Sequence, residues 1–508
     1  MNTNSRKGIV YLVGAGPGRI DLITLRGLEL LKAADCVIYD KLANPALLRY
    51  ARPDAEIIAA PKRLGDESFT QQQINDLLIE KATQGKTIVR LKGGDPYVFG
   101  RGTEEAAVLA EAGFDFEVVP GVTAAVAAAA YAAVPITDRT LASEVIFVTG
   151  HETEGKQKTG IDWPLLARFS GTIVFYMGMS NLETITNRLI DNGMPPATPA
   201  AVVANATLPT QKTTKATVAS IADLCAKLHI GPPALVFIGQ AAQGDTRLDW
   251  LTKLPLFGKT IVLTRDPTGN AEFSAKLTAK MAVPVELAVT KLKPLTDSNA
   301  FVKTLAKVNE YDWVIFTSAN GVEAFFAALT KLGKDARVFG SAKIACIGDR
   351  TAEKLACFGL KADFVPDKFT SKDLANELIK FTNLRNRKII LLRSQLAADD
   401  LTSLLKAAGI TVDDVPVYTS EKNLCDLKLI TEMLTEKEIH WLTFASPFSA
   451  TCFFEQLPLD FVKSSGAKVA SIGPVTSKKL AELGLKIDVE AAEHTINGLI
   501  SAIEQHER

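Results

Sequence analysis

The sequence predicts an α/β protein of several lobes, and three observations carry that reading. Short apolar, β-branched runs alternate with amphipathic helical patterns from end to end. At 508 residues the chain exceeds one ordinary domain and has room for about three or four compact lobes. The second half repeats its own ordered series of motifs.

The alternation is plain from the start: a strand pattern over 9–13, a helix over 24–34, a strand over 36–39, then a strand over 87–91 and a helix over 104–112. Continuous apolar strands between amphipathic helices require sheets covered on both faces. A boundary is expected at 244–259, where Gly-Asp-Thr-Arg and Leu-Pro-Leu-Phe-Gly separate one strand pattern from a fresh one at 260–264. This divides the chain into 1–250, with sub-domains of about 7–135 and 136–245, and 251–508.

In the second half, Val314-Ile-Phe-Thr-Ser-Ala-Asn-Gly parallels Leu442-Thr-Phe-Ala-Ser-Pro-Phe-Ser, and Lys343-Ile-Ala-Cys-Ile-Gly parallels Lys468-Val-Ala-Ser-Ile-Gly. Gly359-Leu-Lys-Ala-Asp then matches Gly484-Leu-Lys-Ile-Asp, and Thr370 falls where Thr495 does. Two similar lobes follow. Pro-containing strands at 283–292 and 412–419 would be the crossings between them. One lobe is then discontinuous, about 257–290 plus 421–508, and the other spans about 291–420. Such a body has a hinge and a cleft, where binding sites commonly lie.

Composition narrows the functional classes. Apolar residues make up 47%, charged residues 22%, and the formal net charge is zero. This is the balance of a soluble globular protein and lacks the basic excess of general nucleic-acid binding. No run reaches the roughly 18 apolar residues of a membrane span, and residues 1–7 are polar. Six cysteines form no CxxC pair and the five histidines are scattered, so no metal site is expected. Buried thiols in a reducing cytoplasm are the expectation.

Gly14-Ala-Gly-Pro-Gly18 follows the first strand and precedes a helix, and Asp40 closes the second strand. That arrangement is close to a dinucleotide fingerprint, which makes an NAD-dependent oxidoreductase with a substrate-binding lobe the rival reading. The spacing is GxGxG, however, and Pro17 lacks an amide donor. A non-catalytic two-lobed sensor is a second rival. The richest run is Arg90-Leu-Lys-Gly-Gly-Asp-Pro-Tyr-Val-Phe-Gly-Arg-Gly102. Its paired glycines allow close approach of a ligand to backbone, and Asp95 is an acceptor for hydroxyl or ammonium groups. Pro120-Gly-Val-Thr-Ala-Ala125 opens an alanine-rich helix, which implies close packing against its backbone.

These segments, with Tyr39-Asp40, Lys62-Arg63, Gly93-Gly-Asp-Pro96, Phe99-Gly-Arg-Gly102 and Tyr176-Met-Gly178, occur in the order seen in uroporphyrinogen-III C-methyltransferases, over about residues 7–250. The resemblance implies a two-domain tetrapyrrole methylase fold with S-adenosyl-L-methionine in the cleft between the domains. Carried over, it makes Pro17, Gly93, Gly94, Asp95, Val98, Thr123, Ala124, Met177 and Ala206 cofactor contacts. It makes Asp40 the proton acceptor and Lys62 the proton donor, with Arg63 pairing a substrate carboxylate. Five positions depart from the family pattern: Arg19-Ile20 in place of Asp-Pro, Glu67 and Asp138 in place of histidines, and Ala206 in place of glycine. An electron-rich pyrrole carbon attacks the sulfonium methyl in line, so positioning supplies most of the acceleration.

From about Phe257 onward the chain resembles uroporphyrinogen-III synthase, through Val262-Leu-Thr-Arg265, Phe316-Thr-Ser-Ala-Asn-Gly321, Pro416-Val-Tyr-Thr419, Phe444-Ala-Ser-Pro447 and Ile472-Gly-Pro-Val-Thr476. That implies a two-lobed fold joined by two strands and a substrate, hydroxymethylbilane, rich in carboxylates. Ser318, Ser446 and Thr476 would bind it and Tyr418 would act as acid. Together the resemblances imply a cytoplasmic bifunctional enzyme on the route to precorrin-2 and thence sirohaem or cobalamin. Its partners would be small tetrapyrroles, with neither nucleic acid nor membrane, and a homodimer would form through the methyltransferase half.

Overall fold

The computed structural model describes residues 8–60, 69–150, 160–297, 299–368, 370–384 and 387–508. Proximity of Cα atoms divides the chain into two compact units, 1–259 with 278–283, and 260–277 with 284–508.

The first unit opens with a parallel sheet made of β1 (Ile9–Gly14), β2 (Cys36–Tyr39), β3 (Glu56–Ala59), β4 (Thr87–Lys92) and β5 (Asp115–Val119), in the order β3-β2-β4-β1-β5. Both faces are buried, as the continuous apolar strands require. Val10, Leu12, Ile38 and Ile88 pack under helices Gln71–Thr83 and Gly102–Glu111, while Val13, Val37, Val89 and Leu91 pack under helix Leu25–Ala33. Because the strands are parallel, the loops after β1, β2, β4 and β5 all leave from one edge, where α/β sheets bind ligands.

A second sheet contains β6 (Val145–Thr149), β7 (Thr172–Tyr176), β8 (Pro199–Ala204), β9 (Lys212–Thr217) and β10 (Ala234–Ile238), in the order β6-β7-β10-β8-β9. It is mixed: β6 and β7 are parallel, and β10 runs antiparallel to both β7 and β8. The alanine helix Ala124–Ala132, which follows β5, lies on this second sheet. Ala125, Ala128 and Ala129 meet Val174, Tyr176, Ala201 and Val203. Small side chains let the helix axis approach the sheet closely, so the dense packing inferred from the alanines is against strands.

The second unit has two lobes. One sheet is ordered β12-β11-β18-β19-β20, from β11 (Thr260–Leu263), β12 (Val283–Glu286), β18 (Trp441–Phe444), β19 (Lys468–Ser471) and β20 (Val489–Glu490). The other is ordered β13-β17-β16-β14-β15, from β13 (Thr290–Pro294), β14 (Trp313–Phe316), β15 (Lys343–Cys346), β16 (Lys388–Ser394) and β17 (Thr411–Lys422). The chain leaves the first of these sheets after β12 and returns to it after β17, and β13 and β17 pair antiparallel with Thr290 opposite Lys422.

The internal repeat extends to individual hydrogen bonds. Ser318 caps helix Ala319–Lys331 by accepting from Gly321 N, and Ser446 caps helix Pro447–Phe454 by accepting from Ser449 N, both at 3.0 Å. Ile344 N donates to Asp363 Oδ2 and Val469 N donates to Asp488 Oδ2, both at 2.8 Å. Thr370 and Thr495 each cap the next long helix.

Candidate active sites

At the carboxyl edge of the first sheet the glycine loops interlock. Gly94 N donates to Gly16 O at 2.7 Å and Gly16 N donates to Gly94 O at 3.2 Å. A Cβ on Gly121 would lie 2.2 Å from Gly94 O, and one on Gly14 would lie 2.5 Å from Gly121 Cα. Any side chain at these positions would force the loops apart. The first glycine loop therefore gives the amides of Ala15 and Gly16 to protein acceptors, and helix Leu25–Ala33 begins only after Thr24, whose hydroxyl already caps Gly27 N. A dinucleotide pyrophosphate would need those donors free.

Asp40 and Asp95 tie this edge together. Asp40 Oδ1 accepts from Leu42 N and Ala43 N at 3.0 Å, and Gly93 N lies 3.2 Å from both carboxylate oxygens. Among the described residues Oδ2 thus makes one long, shared contact. Asp95 Oδ1 accepts from Tyr97 N at 2.8 Å and Oδ2 from Gly121 N at 3.0 Å. It cross-links the 93–102 loop to the 120–124 loop. Gly94, at φ +68°, has only Ala124 N at 3.8 Å and Thr123 Cα at 4.0 Å near the position of a Cβ, so this stretch of backbone looks into open space bordered by Thr123 and Ala124.

The second sheet supplies the facing wall. Tyr176, the last residue of β7, accepts from Ala125 N at 3.0 Å, shares a hydrogen bond of 2.7 Å with Thr123 Oγ1, and rests its ring 4.9 Å from that of Phe99. Burial raises its phenol pKa. Met177 follows at φ +54° and is 51% exposed. Asn205 and Thr207, on either side of Ala206, have φ of +50° and +68°, and Phe99 and Arg101 have +54° and +58°. Five left-handed non-glycine residues thus fall on the loops at this edge, a backbone conformation that costs energy at each. Val98, Ala124 and Ala206 border a single apolar cluster containing Tyr176. Thr207 Oγ1 accepts from Arg19 N at 3.0 Å, which brings the loop of Pro17 alongside. The structure thus gathers Pro17, Gly93, Gly94, Asp95, Val98, Thr123, Ala124, Met177 and Ala206 around one cleft.

A buried charge cluster is built on β4, which ends at Lys92 just before the Gly93-Gly94 turn. Glu105 Oε1 is 2.8 Å from Lys92 Nζ and 3.4 Å from Arg90 Nε, and all three side chains are at most 2% exposed. Burial would raise Glu105, but Arg90 and Lys92 outweigh it and hold the carboxyl low; burial and Arg90 push the Lys92 ammonium down. Sequence reasoning passed over this cluster and over the role of Tyr176. The available signal was two cations at alternate positions of an otherwise apolar strand, Thr-Ile-Val-Arg-Leu-Lys.

Lys62, Arg63 and Glu67 lie outside the described residues. Asp138 is occupied in a local turn, accepting from Thr140 N at 2.8 Å and Leu141 N at 3.0 Å.

In the second unit, Tyr418 on β17 is 8% exposed and its hydroxyl lies 3.0 Å from Ser318 Oγ. Ser318 caps its helix with the same oxygen, so that cap and tyrosine form one unit. Ser446 and Thr476 lie apart from this pair, beyond the ends of neighbouring parallel strands β18 and β19; Thr476 is buried at 3% exposure. The four residues expected to meet substrate thus fall into two pairs, one on each lobe. Among the described residues no helix is long and apolar enough to cross a membrane, and no cluster of His, Cys, Asp and Glu could hold a metal ion.

The family model for tetrapyrrole (corrin/porphyrin) methylases matches residues 9–222, and that for uroporphyrinogen-III synthase matches 271–501. The porphyrin biosynthesis protein HemD of Ruminiclostridium josui is 36% identical over 499 residues, which cover 98% of this chain and 97% of that protein. The chain belongs to this family of methylase–synthase fusions. The fusion is also 37% identical to the uroporphyrinogen-III C-methyltransferase of Bacillus subtilis over 350 residues, 69% of this chain and 71% of that one. A solved uroporphyrin-III C-methyltransferase from Thermus thermophilus, complexed with S-adenosyl homocysteine, shares 37% identity and covers 46% of the fusion and 99% of its own chain, with a TM-score of 0.41. The fusion therefore works in tetrapyrrole biosynthesis through a methyltransferase half and a synthase half, as the motif order implied, and the oxidoreductase and sensor readings fall away.

Proposed function

We propose that the fusion cyclises hydroxymethylbilane to uroporphyrinogen III with inversion of ring D, and then methylates that product twice to precorrin-2, on the branch to sirohaem or cobalamin. The carrying observation is the convergence of the 14–19, 93–102, 120–124, 176–178 and 204–208 loops on one opening with backbone and apolar walls. That lining fits S-adenosyl-L-methionine: a main-chain edge at Gly93 and Gly94 for its polar groups, and Val98, Ala124, Met177 and Ala206 for its apolar surface. The bound cofactor supplies an electrophilic methyl group. The protein's part is to hold the pyrrole carbon in line with it and to receive the pyrrole proton, for which Asp40 Oδ2 is the less committed oxygen. Lys62 and Arg63 would serve as proton donor and carboxylate partner.

In the synthase half, Tyr418 would donate to the departing hydroxyl, with Ser318 orienting it, while Ser446 and Thr476 would hold the opposite part of the substrate. We place the working limits of the halves at 1–250 and 251–508, and expect a fragment starting near Lys253 to retain synthase activity. A cytoplasmic homodimer joined through the methyltransferase half, free of nucleic acid and membrane, completes the reading.

The decisive experiment incubates the pure protein with hydroxymethylbilane and S-adenosyl-L-methionine and identifies the products by mass. A dimethylated type-III tetrapyrrole is expected. Recovery of the unmethylated type-I ring alone would refute the synthase assignment, and unmethylated type III would refute the methylase assignment.

A further inference from the structure

Arg265 is a half-buried cation with no ion-pair partner among the described residues. It follows β11 at the carboxyl edge of the sheet, and β11 pairs in parallel with β18, the strand that leads to Ser446. Its backbone is pinned by Asn270, which is fully buried: Asn270 Oδ1 accepts from Arg265 N at 2.9 Å and Asn270 Nδ2 donates to Arg265 O at 3.1 Å. Its guanidinium lies against the first turn of helix Pro267–Ala279, where a Cβ on Gly269 would come within 2.8 Å of Arg265 Nε and Cζ. Among the described residues no group accepts a hydrogen bond from that guanidinium or forms an ion pair with it.

Asp266 and Glu272 stand nearby without bonding it, and a Cβ on Gly269 would also lie 2.9 Å from Asp266 Oδ2. Asp266 Oδ1 accepts from Gly269 N at 3.0 Å, and Glu272 pairs with Arg350 and, at 3.7 Å, with Lys276. Arg350 contributes a second positive charge close enough to disfavour Arg265's own, adding to the effect of burial, while Asp266 and Glu272 oppose both. Holding a partly desolvated, unpaired guanidinium beside a like charge costs stability. A pinned backbone, a glycine that makes room and an unspent fork of donors together describe an anion receptor.

We propose that Arg265 docks a side-chain carboxylate of the linear tetrapyrrole in the synthase half, with Arg350 reinforcing the local field. The inference rests on the synthase reading above, because that reading supplies a polycarboxylate substrate.

The test measures type-III ring formation from hydroxymethylbilane by the full chain, alongside thermal melting. Arg265→Gln is expected to raise KM roughly tenfold or more, the usual worth of a charge-assisted hydrogen bond, and to flatten the dependence of KM on salt. Its melting temperature should hold or rise, since a partly desolvated cation without an ion-pair partner is removed. Arg265→Lys should recover part of the loss. Gly269→Ala, which keeps the charge but displaces the guanidinium, should raise KM by a smaller factor. An unchanged KM and salt dependence in a folded Arg265→Gln protein would overturn the proposal, as would a lower melting temperature without a KM effect, which would mark a structural arginine. Should the unaltered chain yield only the type-I ring, the synthase reading itself fails and the docking role falls with it.

Discussion

Replacing Glu105 with leucine should loosen the floor of the methyltransferase cleft. In the native protein Glu105 is the carboxylate that Arg90 and Lys92 share, and none of the three is more than 2% exposed. The substitution leaves two cations in the interior without the carboxylate they share, and Arg90 keeps only long contacts of 3.4 Å to the carbonyls of Ile38 and Leu91 among the described residues. Removing one partner of a buried ion pair typically costs about 3–5 kcal/mol. The fusion has several domains, so a single global unfolding energy is ill-defined. Hydrogen exchange resolved to the β4 peptide is the suitable assay, and amides there should exchange about 10²–10³-fold faster. The pH dependence has a definite sign. Lys92 already has a folded pKa pushed down by burial and Arg90, and loss of Glu105 pushes it further. The penalty is absent above about pH 10.4, where the unfolded chain also sheds the proton. Stability is then lost as pH falls toward the lowered folded value. Replacing Lys92 with methionine in the same protein removes one orphaned cation and should restore much of the protection. If β4 amides of Glu105→Leu exchange within threefold of the native rate, the cluster does not support the turn above it.

Asp95→Ala deletes the acceptor of Tyr97 N and Gly121 N and should weaken S-adenosyl-L-methionine binding roughly tenfold or more by calorimetry; an unchanged affinity would remove Asp95 from the site. Asp40→Asn can keep the three amide contacts of Oδ1, so cofactor affinity should persist while single-turnover methyl transfer slows on the order of 10²-fold; an unaltered rate would reduce Asp40 to a loop anchor. Tyr418→Phe removes the 3.0 Å contact with Ser318 and little volume, so type-III ring formation should fall only in part, and full activity would discard the acid role.

How far the sequence exposed this molecule depends on which physics each feature uses. Sheet placement and the two lobes were legible because burial on both faces of a parallel sheet leaves apolar runs, and because a duplicated lobe repeats its capping residues at matched positions. Asp363 and Asp488 show this best, since each takes a strand amide at 2.8 Å from within the same five-residue phrase. The resemblance proposed the cofactor contacts, and the structure brings those residues together at one edge, but the hydrogen bonds each makes could not be read from it. Asp95 reads in sequence as a ligand acceptor, yet both its oxygens already hold loop amides, a three-dimensional fact that no spacing encodes. The same holds for Glu105, which sits on a helix whose sequence looks like an ordinary solvated face. Its meaning depends on two cations brought from a strand 13 and 15 residues earlier. Charges in the interior are expensive enough to be kept only where something depends on them. Lys92 leads directly into the turn at Gly93 and Gly94, two residues with no side chain to anchor them. On this reasoning the turn should depend on the ion cluster at the end of β4, which is what exchange of the β4 amides in Glu105→Leu would decide.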